Sequence, residues 1–173
     1  QTIGIVGPTG AGKSTLIRQL LREFNISDGS ITIDGIDISS YKIDRIRNLV
    51  GYVPQAHTIF KRAVLENIKV GKPKASEFEL DKAIKIADFE KDLMFLDEGL
   101  KTMVGESGST LSGGQKQRLS IARALIKDPE ILILDDSLSA VDAKTEDNII
   151  EQLNRFRSDK TNIIVAHRFS AIK

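Results

Sequence analysis

The sequence predicts an α/β domain: a mainly parallel sheet flanked by helices, with a helical stretch inserted between its strands. Three observations carry this. Short apolar runs of strand type alternate with stretches of helical spacing toward both ends of the chain. A glycine-rich loop joins the first strand to the first helix. From Ala56 to Asp128 strand signals vanish and helical spacing takes over.

The elements follow in order. Thr2 to Val6 is a short apolar run, the first strand. Ser14 to Phe24 sets Leu16, Leu20 and Phe24 at helical spacing. Residues 30–34 alternate apolar and polar and end at Gly35, a half-exposed strand and its turn. Leu49 to Val53 is a further strand, stopped by Pro54. Leu80, Ala83, Ile84 and Ala87 share one helical face. Ser112 suits the N-cap of a helix lined by Leu119, Ala122 and Ile126. Ile131 to Leu134 is a continuous apolar run, as expected of a strand buried on both faces. Glu146 to Arg157 carries Ile149, Leu153 and Phe156 on one helical face, and Asn162 to Ala166 is a last buried strand. Ligands of such sheets sit at the carboxyl ends of the strands, where the glycine loop, Asp135 and His167 fall.

The composition is ordinary. Of 173 residues, 40% are hydrophobic and 28% charged, with a net charge of +1. Nothing in that balance favours nucleic acid or an anionic lipid surface as partner, and no nucleic acid is expected. The chain holds 0 cysteines, which excludes disulfides and thiolate metal sites. The glycine-rich loop follows residue 1 closely, and the last strand ends close to Lys173. Residues 1–173 are therefore expected to be a single domain truncated at both ends, with a core of about 1–55 and 129–173 and a helical subdomain of about 56–128.

The chemistry concentrates in a few places. Gly7-Pro8-Thr9-Gly10-Ala11-Gly12-Lys13-Ser14, followed by Thr15, matches G-x-x-x-x-G-K-[ST] at every fixed position. It sits between a strand and a helix, the context in which the motif is a phosphate-binding loop. Its glycines let backbone N–H groups turn toward a polyphosphate, and the helix N-terminus adds partial positive charge. Lys13 is expected to reach the β- and γ-phosphates, and the Ser14 hydroxyl to hold Mg²⁺. Asp135-Asp136 closes the buried run 131–134. The first carboxylate suits Mg²⁺ opposite Ser14, and the second can orient or deprotonate an attacking water; the alternative is a pair of helix-capping acids. Leu111-Ser112-Gly113-Gly114-Gln115 opens another helix and makes a second anion cradle. One nucleotide does not need two cradles from one chain, so the second is expected to serve a nucleotide held by another copy or a partner.

With these residues in place, the chain resembles the nucleotide-binding domain of ATP-binding-cassette (ABC) transporters, a phosphate-loop NTPase fold. The resemblance covers essentially the whole chain. It rests on the order of the phosphate loop, Gln55 after a strand, the signature Leu111 to Gln115, Asp135, Ser139-Ala140-Val141-Asp142, and His167. It implies ATP and Mg²⁺ as ligands, with Mg²⁺ on Ser14, Gln55 and Asp135. It implies catalytic roles for Asp136, for Gln55 on the attacking water and for His167 on the γ-phosphate. It implies a second nucleotide-binding domain closing head to tail, with Ser112, Gly113, Gly114 and Gln115 on that domain's nucleotide and Asp142 communicating across the dimer. Transmembrane domains of the same transporter, at the cytoplasmic face of the membrane, are the other implied partner. Thr102 to Gly108, Asn48 to Gln55 and Leu65-Glu66-Asn67-Ile68 resemble exporters rather than importers. His57 matches no family position and is expected to be a surface loop residue.

Two departures stand out. The family's adenine-stacking aromatic precedes the phosphate loop, and this chain starts after that position; Tyr41 and Tyr52 do not replace it. The residue after Asp135 is usually glutamate in the family, and here it is Asp136. A carboxylate misplaced by roughly 1 Å can cost about a hundredfold in rate. Heterodimeric exporters often pair a weakened with a competent site, with such an aspartate in the weakened one; a homodimer with modest activity is the alternative. Two other readings stay open at this point: a nucleotide-gated binding module with little turnover at its own site, and a soluble ABC-type ATPase without a transport role.

Overall fold

A computed structural model describes residues 1–166. Its main sheet has four parallel strands in the order β1 (Thr2–Val6), β6 (Thr161–Ala166), β5 (Ile131–Asp135), β4 (Val50–Val53). The helices are α1 (Lys13–Leu20), α2 (Ile43–Leu49), α3 (Val64–Lys69), α4 (Glu77–Ile86), α5 (Glu90–Leu93), α6 (Gly113–Leu125) and α7 (Ala143–Phe156). The expected mainly parallel sheet with helices is thus present. His167, expected to reach the γ-phosphate, lies outside the described residues.

Successive side chains of a strand point to opposite faces, and β5 shows why its sequence is apolar throughout. Leu132 and Leu134 enter one cluster with Val53 and Ile164, and with residues of α3, α4, α6 and α7. Ile133 enters the other, with Ile17, Ile46, Val50, Ile163 and Val165. The first cluster runs without a break from the sheet through α6 to α3 and α4, so the helical stretch is packed into the sheet's own core.

Three local expectations need correction. The first helix ends at Leu20, because Arg22 turns to φ 56°. Leu16 and Phe24 are 44% and 46% exposed, and the buried face is Ile17 and Leu21. Phe24 instead lies under the Arg18 guanidinium, 4.4 Å from ring centroid to charge. The strand read at 30–34 contracts to β2 (Thr32–Ile33), paired antiparallel with β3 (Ile36–Asp37). The turn between them has positive φ at both Asp34 and Gly35, the geometry of a two-residue hairpin loop.

Gly51 shows how tightly β4 is held against the end of α6. A Cβ there would lie 2.7 Å from Pro129 Cγ and 3.0 Å from the Ala124 carbonyl oxygen. Gly51→Ala is therefore expected to destabilise by about 1–3 kcal/mol through overpacking, read as a lowered melting temperature. An unchanged melting temperature would mean that β4 and the Pro129 turn separate more readily than their packing indicates.

Candidate nucleotide site

The site grows from the strand ends. β1 runs into the glycine loop, where Gly10 and Gly12 take φ of 83° and 86°, a conformation that side chains other than glycine rarely adopt. Gly7 is needed for a different reason: its backbone is not left-handed, but a Cβ would stand 3.3 Å from that of Ala11. Lys13 folds back over the loop, its Nζ donating to the carbonyls of Gly7 at 2.7 Å and Pro8 at 3.0 Å. Strand, loop and helix together wall a cavity of about 320 Å³. Thr9 to Thr15 line one side of it, and Gln55, Asp135, Asp136 and Val165 the other.

The acidic side is assembled by the sheet. Asp135 ends β5 and is 3% exposed. Its Oδ1 accepts from the Ser14 hydroxyl at 3.2 Å and its Oδ2 from the Tyr52 hydroxyl at 3.1 Å. The next residue leaves the strand in a left-handed turn, Asp136 at φ 50°, with its N–H on the Val165 carbonyl at 2.9 Å. That turn carries the Asp136 carboxylate to Gln55, whose Nε2 donates to Oδ2 at 3.1 Å. The structure therefore brings Lys13, Ser14, Gln55, Asp135 and Asp136 to one cavity.

Tyr52, which does not replace the adenine-stacking aromatic, supplies instead the second hydroxyl on Asp135. Burial, with the Asp135 charge and hydrogen bond behind it, pushes the phenol up to about 12, so it stays a proton donor to that carboxylate. The contact follows from the pairing of β4 with β5, which no local sequence pattern signals. His57 also departs from expectation. It is half-buried against Arg123 in a separate cavity, where burial and that guanidinium lower its pKa.

The oxygen donors fit a hard cation. Ser14 and Asp135 offer a hydroxyl and a carboxylate beside a phosphate cradle, and Mg²⁺ commonly takes one or two carboxylates with waters and substrate phosphates. Among the described residues no cluster of three or more His, Cys, Asp or Glu gathers for a metal.

The second cradle stands apart. Ser112, Gly113, Gly114 and Gln115 are absent from the lining of the phosphate-loop cavity. Ser112 caps α6 reciprocally: its Oγ accepts from the Gln115 N–H at 3.2 Å, and Gln115 Oε1 accepts from the Ser112 N–H at 2.9 Å. Ser112 and Gly113 are exposed, which leaves the start of α6 open to another molecule. Asp142 is exposed as well and caps α7. Hydrogen bonds from the Thr145 hydroxyl and N–H hold its carboxyl below the usual range.

The chain is similar to known proteins in sequence and fold. The family described as ABC transporter matches residues 1–139. A probable multidrug resistance ABC transporter ATP-binding/permease protein of Bacillus subtilis, YheI, is 57% identical over 100% of this chain and 30% of its own length. The multidrug resistance-like ATP-binding protein MdlA of Escherichia coli is 45% identical over 99% of the chain and 29% of its own. Among solved structures, a bacterial Atm1-family ABC exporter with ATP bound superposes with a TM-score of 0.94 at 43% identity, over 99% of this chain and 30% of that one. The chain thus spans about 30% of the length of these relatives. Sequence, fold and cavity converge, and the chain belongs to the ABC transporter family.

Proposed function

We propose that this chain is the ATP-hydrolysing nucleotide-binding domain of an exporter, acting at the cytoplasmic face of a membrane. The observation that carries this is the meeting of Ser14 with Asp135, and of Gln55 with Asp136, across a cavity walled by the phosphate loop. The export role rests on the names of the relatives, which join an ATP-binding to a permease part. No described helix is long and apolar enough to cross a membrane, so transmembrane domains would come from other sequence.

In this reading residues 1–55 and 129–173 form the nucleotide-binding core, and 56–128 the helical subdomain. Lys13 and the loop N–H groups hold the β- and γ-phosphates. Ser14 and Asp135 would hold Mg²⁺, with Gln55 beside them; the ion neutralises charge on the phosphates when bound. Asp136 accepts a proton from, or orients, the attacking water, and Gln55 keeps that carboxylate in place. His167 would contact the γ-phosphate. Ser112 to Gln115 close over the nucleotide of a second nucleotide-binding domain, whose own signature closes over this one, while Asp142 faces the dimer seam. Two cradles on separate surfaces of one chain support this head-to-tail pairing. Asp136 supports a finer reading, in which this is the slow site of a heterodimer and its signature completes the partner's fast one.

Lys13 is the sole cationic side chain among the described residues that line the cavity. Lys13→Ala in the full-length protein should weaken MgATP at least tenfold, about 1.4 kcal/mol, in titration calorimetry. Unchanged affinity would remove the phosphate-loop assignment.

A further inference from the structure

The loop from Ser137 to Asp142 and the start of α6 touch directly. Gln117, 1% exposed, accepts from the Ala140 N–H through Oε1 at 3.1 Å. A Cβ on Gly114 would stand 3.4 Å from the Ala140 carbonyl oxygen and 3.2 Å from Arg118 Nη1. The Arg118 guanidinium thus supports the second glycine of the cradle from below. What holds that guanidinium is Asp92 on α5, through two hydrogen bonds of 2.6 and 2.7 Å in a buried pair. The fork-to-fork geometry fixes the orientation of both planes.

The neighbouring residue of α5 reaches the other way. Lys91 Nζ donates to Thr145 Oγ1 at 2.9 Å, and that hydroxyl donates to Asp142 Oδ2 at 2.7 Å. Asp88, just before α5, pairs with the same ammonium. Consecutive residues of one short helix therefore grip the cradle helix on one side and the cap of α7 on the other. We propose that Lys91 and Asp92 are positioning residues: α5 sets the signature cradle against the Asp142 loop, so that this chain presents both to its partner as one rigid piece. The proposal rests on the reading that Ser112 to Gln115 close over the partner's nucleotide. Neither residue touches a nucleotide; each acts through Arg118 or Thr145.

Removing Asp92 would strand a buried guanidinium and endanger folding, so the test falls on the Lys91 arm, whose side chain is 41% exposed. Lys91→Met, Thr145→Val, their double variant and Lys91→Arg are each made in the full-length protein and assembled with its partner. Steady-state MgATP hydrolysis and melting temperature are then measured. Lys91→Met and Thr145→Val should each lower kcat about fivefold, and the double variant should fall no further than the worse single one. KM for MgATP should stay within about twofold, because nucleotide capture by the phosphate loop is untouched. Lys91→Arg should recover most of kcat. Multiplying effects in the double variant, or an unaltered kcat in Lys91→Met, would overturn the proposal. Ser112→Arg, run in parallel, separates the two readings. If it blocks turnover while the Lys91 arm is silent, only the positioning role fails; if it turns over normally, the closure of the signature on the partner's nucleotide fails.

Discussion

Ser112→Arg should leave MgATP binding to the open protein within about twofold and remove essentially all steady-state hydrolysis if, as proposed, the cradle acts on the partner's nucleotide and only after closure. The position allows a clean reading. Ser112 is exposed, stands outside the phosphate-loop cavity, and its side chain makes one capping bond. Loss of that cap costs about 1 kcal/mol, which Ser112→Ala would report by itself. The arginine adds bulk and charge at the open start of α6, where the proposed phosphate of the partner's nucleotide would approach. Calorimetry gives the binding arm, and phosphate release by the assembled transporter gives the turnover arm. Equal loss in both would mean that Ser112 acts on its own chain's nucleotide.

If this site is slow because its carboxylate falls one methylene short, Asp136→Glu should raise hydrolysis there with little change in ATP affinity, since in the proposed role the carboxylate acts mainly in the transition state. The added methylene extends the reach by about 1.5 Å. Asp136 sits at φ 50°, where aspartate is tolerated better than glutamate, so a slightly lower melting temperature should accompany the gain. Asp136→Asn keeps the size and removes the charge. If the partner's site carries most turnover, that variant should change total activity little, whereas disabling the partner's matching carboxylate should nearly abolish it. Loss of all activity in Asp136→Asn, with the partner's carboxylate intact, would make Asp136 a working catalytic group and end the slow-site reading.

The parts legible in the sequence are those set by local chemistry. The phosphate loop is readable because left-handed glycines, a lysine and a hydroxyl must occur at fixed spacing to wrap a phosphate. β5 is readable because burial on both faces forbids polar residues before Asp135. What escaped depends on neighbours distant in sequence. α2 buries fully only Ile46, which leaves no periodic signal. The apolar face of α1 was misjudged because Arg22 ends the helix early, and Phe24 pairs with Arg18 rather than with the core. The hydroxyl of Tyr52 meets Asp135 through the pairing of β4 with β5, a register that no local pattern declares. The grip of α5 on Arg118 and Thr145 likewise joins residues far apart along the chain.

Cross-linking distinguishes whether the two cradles of this chain act, as proposed, on different nucleotides or on the same one. The chain has 0 cysteines, so an introduced thiol is unambiguous within it. Ser112→Cys in this chain would be combined with a cysteine in the partner domain's phosphate loop, at the position matching Ala11. A short thiol-reactive cross-linker would then be added with and without MgATP, under conditions that block hydrolysis. Action on different nucleotides predicts a product that joins the two domains, formed with MgATP and largely absent without it or when Lys13 is alanine. A chain carrying both cysteines that cross-links to itself, while the mixed pair yields nothing with MgATP, would contradict it.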